Sequence, residues 1–366
     1  MARRFILDRY LILDFLGPFL LAVGGFVIVG LVDILFTLVD LFVNSGVEGS
    51  VVFRLLIYKI PAIMVLFFPM AVLFSMMLLL VRMAKDNELT VLRSSGVSFF
   101  RIVRPLLLIT IIVVFLCFFI NETIVPWTNH VSDRLIKTAV KKVPAPDIAE
   151  NVFFKDDVNR FFYINKLDIQ ANVMKDILVY EIIGDFPRII SAQKATWNQQ
   201  RWVLFDGMIY EFNKEGKAEF TSGFARLNLN LKRDVRSFYS NTKTPREMSS
   251  GELKKKIDVL AIGGRGTRAL QVEYYMKKSI PAASFIFAII GIAYCFLFVK
   301  SGKDWWGVVL AICLAVLSVG FWFFLVALFR SLGRGDMLHP FWAAWLPNIF
   351  YFILGSIIIL YKSLFN

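Results

Sequence analysis

Six stretches of this chain run for about 17–25 residues without an ionised side chain, the length a helix needs to cross roughly 30 Å of hydrocarbon. They are Phe15–Val32, Ile60–Val81, Pro105–Asn121, Ser279–Val299, Trp305–Phe329 and Met337–Tyr361. No water is available inside a bilayer to satisfy backbone N–H and C=O groups, so each run has to be helical. The first is too long, and too rich in apolar sequence that follows it, to read as a cleaved signal peptide. The 57% hydrophobic content and 37 phenylalanines agree with a protein whose solvent is largely lipid.

Basic residues mark the cytoplasmic side of short loops. Arg3, Arg4 and Arg9 precede the first run, Arg82, Lys85, Arg93, Arg101 and Arg104 follow the second, Lys300 and Lys303 follow the fourth, and Lys362 follows the sixth. The loop at 44–50 has no base, and 330–336 has Arg330 and Arg334. Both termini and the 82–104 stretch are therefore expected to be cytoplasmic. The net charge of +13 is read as topology in part, not as a nucleic-acid footprint.

Between the third and fourth runs the period changes. In 224–232, Phe224, Leu227, Leu229 and Leu231 are set against Arg226, Asn228, Asn230 and Lys232, mostly every second residue. Segments 160–169, 176–183, 188–197 and 201–212 read as further strands, with hairpin turns expected at Asp206-Gly207 and at 213–216. Short strands at this spacing suggest a sandwich, jelly roll or barrel. This exported domain holds 24 Lys and Arg against 17 Asp and Glu over 126–270. It reads either as an inert soluble module or as a β groove for an apolar ligand or a partner's edge strand. A polar linker (233–250), a short basic helix beginning at Ser250 and a flexible 263–266 lead back to the membrane. The division is 1–125, with three membrane helices; 126–270, the β domain and linker; and 271–366, with three more.

The 82–101 stretch is too polar for a membrane and too short for a domain. Asp86 is expected to cap a helix over about 87–95, Glu88 lies in the first turn where the dipole favours an acid, and Gly96 suits the residue past its end. Leu89 and Leu92 fall on one side with Val91 beside them. So short a helix is marginal alone. It packs either on the span ends or against another protein.

Energy-transducing and catalytic motifs are missing. There is no G-x-x-x-x-G-K-[ST] phosphate loop and no nucleophile elbow. His130 and His339 are far apart, Asp156 and Asp157 read as a solvated turn, and Cys117, Cys295 and Cys313 all lie in spans. No catalytic residue, metal site or resident cofactor is expected. Pro61 and Pro69 are expected to interrupt or kink the second span. Charges toward the outer ends, Asp33, Asp40, Arg54 and Lys59, either pair with one another or snorkel, or else their bases, with Lys277 and Lys278, meet an anionic headgroup.

With Glu88, Leu89, Val91 and Leu92 leading into Ser95, Gly96 and Ser98, this stretch resembles the coupling helix of the lipopolysaccharide-export permeases, the LptF/LptG family of ABC transporter subunits. "LDRY" (7–10), "LVD" (38–40), "FFPMA" (67–71), Glu122, Pro126 and "HPFWAAWLPN" (339–348) add to the resemblance, and the first and third of these strings lean toward the G-type permease. The resemblance implies six membrane helices with a periplasmic jelly-roll-like β domain between helices 3 and 4, in a bacterial inner membrane. It also implies a second LptF/LptG-type permease, a cytoplasmic ABC ATPase dimer that holds the ATP and Mg, and a periplasmic bridge of jelly rolls. The cargo would be lipopolysaccharide or a related anionic glycolipid. Glu88, Leu89, Leu92, Arg93 and Gly96 would form the ATPase contact. Arg54, Lys59, Lys277 and Lys278 would meet phosphates, and Phe67, Phe68, Phe321 and Phe324 acyl chains. Better-known members carry a base in the outer half of the first span, where this chain has Thr37 between Asp33 and Asp40. An energy-independent transporter and a membrane-anchored scaffold are the other readings.

Overall fold

The computed structural model describes residues 6–45, 48–140, 148–155, 160–168, 171, 173–183, 186–198, 201–212, 218–229, 244–262, 266–299 and 305–364. Sequence expectations that lie outside them in whole or part include the turn at 213–216, the Asp156-Asp157 pair, most of the linker, residues 263–265 and the end of the 224–232 strand. Arg3, Arg4, Lys300 and Lys303 of the charge-asymmetry argument also lie outside them.

The elements are α1 (Ile6–Ser45), α2 (Gly49–Lys85), α3 (Glu88–Ser94), α4 (Phe99–Phe119), a π turn (Ile120–Ile124) and α5 (Val125–Val140). Six strands follow: β1 (Ile148–Lys155), β2 (Phe161–Asp168), β3 (Val173–Ile183), β4 (Phe186–Asn198), β5 (Arg201–Phe212) and β6 (Ala218–Leu229). A 3₁₀ turn (Pro245–Glu247) leads to α6 (Ser250–Ile262), α7 (Arg268–Phe298), α8 (Trp305–Arg334) and α9 (Pro340–Leu364). Among the described residues six helices are long and apolar enough to span a membrane, and the sheet is inserted between the third and fourth of them.

The first five spans are longer than the uncharged stretches that predict them, because helices do not stop where hydrocarbon does; the sixth begins three residues inside its stretch, at Pro340. The third runs Phe99–Ile136, 38 residues, or about 57 Å at 1.5 Å per residue. Within it, Pro126 lacks an N–H and crowds the carbonyl four residues earlier, that of Glu122. The π turn at Ile120–Ile124 widens the helix there. Its Asn121 Nδ2 donates to the backbone oxygen of Lys277 at 2.8 Å, tying the third span to the fourth. Pro61 and Pro69 leave α2 unbroken over all 37 of its residues.

Two compact units emerge. One gathers the described parts of Met1–Asp40, Val52–Asn129 and Arg268–Asn366, and the other those of Leu41–Val51 and His130–Thr267. In the first unit α2 and α7 form the centre: 67% and 78% of their most apolar windows are buried, against 17% for α1 and 22% for α8. A buried polar clasp joins the last three spans. Trp322 Nε1 donates to Asn348 Oδ1 at 3.0 Å, Asn348 Nδ2 donates to Ser279 O at 2.7 Å, and Tyr351 OH donates to Ser318 O at 2.7 Å. Apolar side chains gain nothing from leaving lipid for one another, so packing and such hydrogen bonds supply the cohesion.

In the second unit the six strands pair strictly in chain order, β1-β2-β3-β4-β5-β6, all antiparallel. That is a meander. The crossovers that define a jelly roll are not among the described pairings. The expected hairpin at Asp206-Gly207 is corrected, since β5 passes straight through it. What the sequence signals there is a kink. The ladders step over Asn165, Asp176, Gln193, Asp206 and Ala225 in one row, and Asp176 and Asp206 have φ of 50° and 51°. The apolar face is kept by a three-residue stride across that row: Ile164 to Leu167, Met174 to Ile177, Ala192 to Ala195, Phe224 to Leu227. Gly207 sits beside it, where an added Cβ would fall on the carbonyl oxygen of Ser191 and the ring of Phe224.

The 3₁₀ turn is anchored by Glu247, 1% exposed. Its carboxylate accepts from the Thr244 N–H at 2.8 Å and lies 3.1 Å from His130 Nδ1. His130 thus takes a structural place. Desolvation raises the Glu247 carboxyl, but its hydrogen bonds with Thr244, Asp133 and His130 together outweigh that and hold it below the usual range. Lys256 of α6 is 7% exposed. Its ammonium lies 5.2 Å from the Phe153 ring. Burial pushes Lys256 down to about 8, against the attraction of Glu247.

Candidate functional site

Two features of the first unit stand out: α3, and an apolar groove lined by α1, α2 and α8. Asn87, not Asp86, holds the N-cap position before α3. Its φ of 59° is a left-handed conformation that asparagine tolerates, and no side-chain cap bond is made. The far end is as expected. Gly96 has φ 78°, its N–H donates to Arg93 O at 3.0 Å, and the Val97 N–H donates to Leu92 O at 3.0 Å. This pair is a Schellman motif. With seven residues, α3 relies on its neighbours. Leu89, Leu92 and Val97 pack against the bundle core, and Arg93 lies 5.3 Å from the Phe296 ring at the end of α7. Val91 instead points outward, 60% exposed. Thr90, Ser94 and Ser95 are exposed as well. The exposed side of α3 thus carries Thr90, Val91, Ser94 and Ser95, whereas the two leucines brace it from beneath.

Glu88 is half-buried. Tyr10 OH of α1 donates to its two carboxylate oxygens at 3.0 and 2.8 Å. Arg82, near the end of α2, donates to Tyr10 OH at 3.2 Å and also to the carboxylate of Asp14. A hydroxyl has one proton to give and two lone pairs, so accepting from Arg82 while donating to Glu88 uses it well. Nearby, Arg101 of α4 pairs with Asp8 of α1 at 3.2 Å. Four elements, α1, α2, α3 and α4, meet in this polar clamp. Sequence reading used Arg82 and Arg101 only for topology and gave Tyr10, Asp8 and Asp14 no role.

The groove has a cavity volume of about 330 Å³ and lies among Phe26 of α1, Met70, Phe74, Met77, Leu78 and Val81 of α2, and Ile312, Ala315, Val316 and Val319 of α8. It begins one residue before Arg82. A second apolar groove, about 520 Å³, lies among α4, α7 and α9, with Phe115, Phe285 and Phe352 on its walls. An acyl chain passing from the bilayer into either gains no hydrophobic free energy, so a groove of this kind can take up and release a lipid tail without trapping it.

The expected substrate residues disperse. Phe67 stacks on Phe26 at 5.8 Å and so backs the first groove. Phe68 is 2% exposed and packs edge-on against Phe19 in the core. Phe321 and Phe324 stack on each other at 6.1 Å on an exposed face of α8. Lys278 Nζ is committed to Tyr274, 2.8 Å from its hydroxyl. Lys277 and Lys59 are part-buried, Arg54 is exposed, and none of the four bases lines a groove described above. A charged set the sequence reading passed over lies between α7 and α8, where Glu273 accepts from Arg330 at 2.5 Å and also from Arg334.

Residues 9–362 match the family described as lipopolysaccharide export system permease LptF/LptG. The chain belongs to this family. A segment of 179 residues is also 22% identical to a Rickettsia prowazekii (strain Madrid E) protein described as uncharacterized protein RP871, covering 48% of each chain, so the match spans about half the length of that relative. The six spans and inserted sheet are the LptF/LptG architecture expected from the sequence.

Proposed function

We propose that this LptF/LptG permease extracts lipopolysaccharide or a related anionic glycolipid from the inner membrane as one of two permeases driven by a cytoplasmic ABC ATPase dimer. The ATP and Mg belong to that partner. In this reading both termini and α3 are cytoplasmic, the meander is periplasmic, and the cargo passes to a periplasmic bridge. The observation that carries it is α3: a short helix with an exposed, largely polar face, clamped through Glu88 to α1 and α2, two of the three helices that wall the first groove. A displacement of α3 by a closing ATPase would act first on those walls. Because an acyl chain is nearly indifferent between groove and bilayer, modest wall movement suffices to expel it. The energy of export is then needed for the headgroup and for direction.

Reversing the charge at Glu88 tests this. In Glu88→Lys the clamp gains a second base beside Arg82, and export should fall to background while membrane insertion persists. Full export by that variant would leave α3 a brace at the membrane surface and favour a scaffold role.

A further inference from the structure

We infer that the Tyr10 hydroxyl is a positioning group for coupling: it fixes the Glu88 carboxylate and links α3 to α1 and α2, two of the three helices that wall the first groove. The inference rests on the proposed function and goes beyond it, because it places the transmission step in this chain's own α1. Glu88 is not a free acid awaiting a partner. Both its oxygens are already held by one hydroxyl, at 3.0 and 2.8 Å. That hydroxyl is oriented in turn by Arg82 at 3.2 Å, and Arg82 is countered by Asp14 one turn farther along α1. The contacts alternate between helices: α3 to α1, α1 to α2, α2 back to α1. Leu78 and Val81, within one turn before Arg82, line the groove, as does Phe26 on α1. Arg93 and Leu92 hold the other end of α3 over the bundle. A push on α3 therefore divides between its two ends, and Tyr10 is where the share bound for the groove enters. The ring of Tyr10 is part-buried against the core and supplies packing by itself, so the oxygen is the separable part.

The test uses the complex purified from its own membrane, reconstituted in nanodiscs with fluorescent lipopolysaccharide as the probe. Lipid released and ATP hydrolysed are counted together for the parent, Tyr10→Phe, Glu88→Gln and the double variant. Removing one hydrogen bond to a charged group should lower the lipid released per ATP by about tenfold in Tyr10→Phe with hydrolysis retained. Because Tyr10 acts through Glu88, Tyr10→Phe should add nothing in the Glu88→Gln background. An unchanged ratio in Tyr10→Phe, or full additivity in the double variant, overturns the inference. Should Tyr10→Phe fail to assemble, Arg82→Gln is read in the same assay; it should lower the ratio in the same direction, and an unchanged ratio overturns the inference equally. Loss of the coupling reading itself is recognised separately, by full release in Glu88→Lys.

Discussion

Lys256 makes the sheet-bearing unit more stable in mild alkali, the reverse of what a surface lysine would do. Its ammonium is buried at 7% exposure, and burial lowers it to about 8 from 10.5. Between those values the folded chain has released a proton that the unfolded chain still binds, so stability rises with pH. Below about 8 both forms are protonated and the full cost of the buried charge is present. Tyr180, raised by burial and by Asp258, begins to oppose the trend only near 10, where the unfolded tyrosine ionises. The usable window is therefore pH 8 to 10, and two pH units correspond to about 2–3 kcal/mol. The measurement is a urea midpoint for the full-length protein in detergent. It is followed by mass spectrometry of thiol labelling at a cysteine introduced for Ala195, which is 1% exposed. The midpoint should climb from pH 8 to 10 in the parent and stay level in Lys256→Met. A flat parent profile, or an equal climb in Lys256→Met, would mean that Lys256 does not carry the pH dependence.

Gly207→Ala should destabilise the meander by about 2–4 kcal/mol, since the new methyl has backbone on one side and the Phe224 ring on the other; the same labelling assay reads it, and an unshifted midpoint would mean that β4 and β6 can part at no cost. Ala315→Trp fills the first groove from α8 and should lower co-purified glycolipid severalfold while leaving the assembly intact, as judged by native mass spectrometry. Unchanged lipid content would move the acyl site elsewhere, with the groove among α4, α7 and α9 the next to be filled.

The spans were legible because a continuous apolar run of this length satisfies its backbone in hydrocarbon as a helix, and most of their true lengths were not, because nothing forces a helix to end at the lipid boundary. The strands were legible as alternation. Asp206-Gly207 misled because a dipeptide that favours positive φ serves a kink as well as a hairpin, and only the neighbouring ladders reveal that every strand breaks its period in the same row. The short helix and its Gly96 terminus could be read from local chemistry. Which side of α3 faces out could not: Leu89 and Leu92 turn inward because the bundle is there to receive them. The clamp was hidden for a simpler reason. Tyr10 and Glu88 are 78 residues apart, and Asp14 and Arg82 are 68 apart, so no local pattern joins them. The bases expected to meet phosphate were chosen by position along the chain, and Lys278 turns out to be engaged by Tyr274 one turn away.

On the proposed function this chain works as one of a pair of permeases on an ATPase. Gentle detergent extraction from the native membrane, with quantitative mass spectrometry of everything that co-purifies, addresses it most directly. The account predicts a soluble ATPase in about twofold excess over this chain, a second LptF/LptG-type permease, and bound glycolipid. Recovery of this chain without any ATPase, from membranes in which export is running, would contradict it.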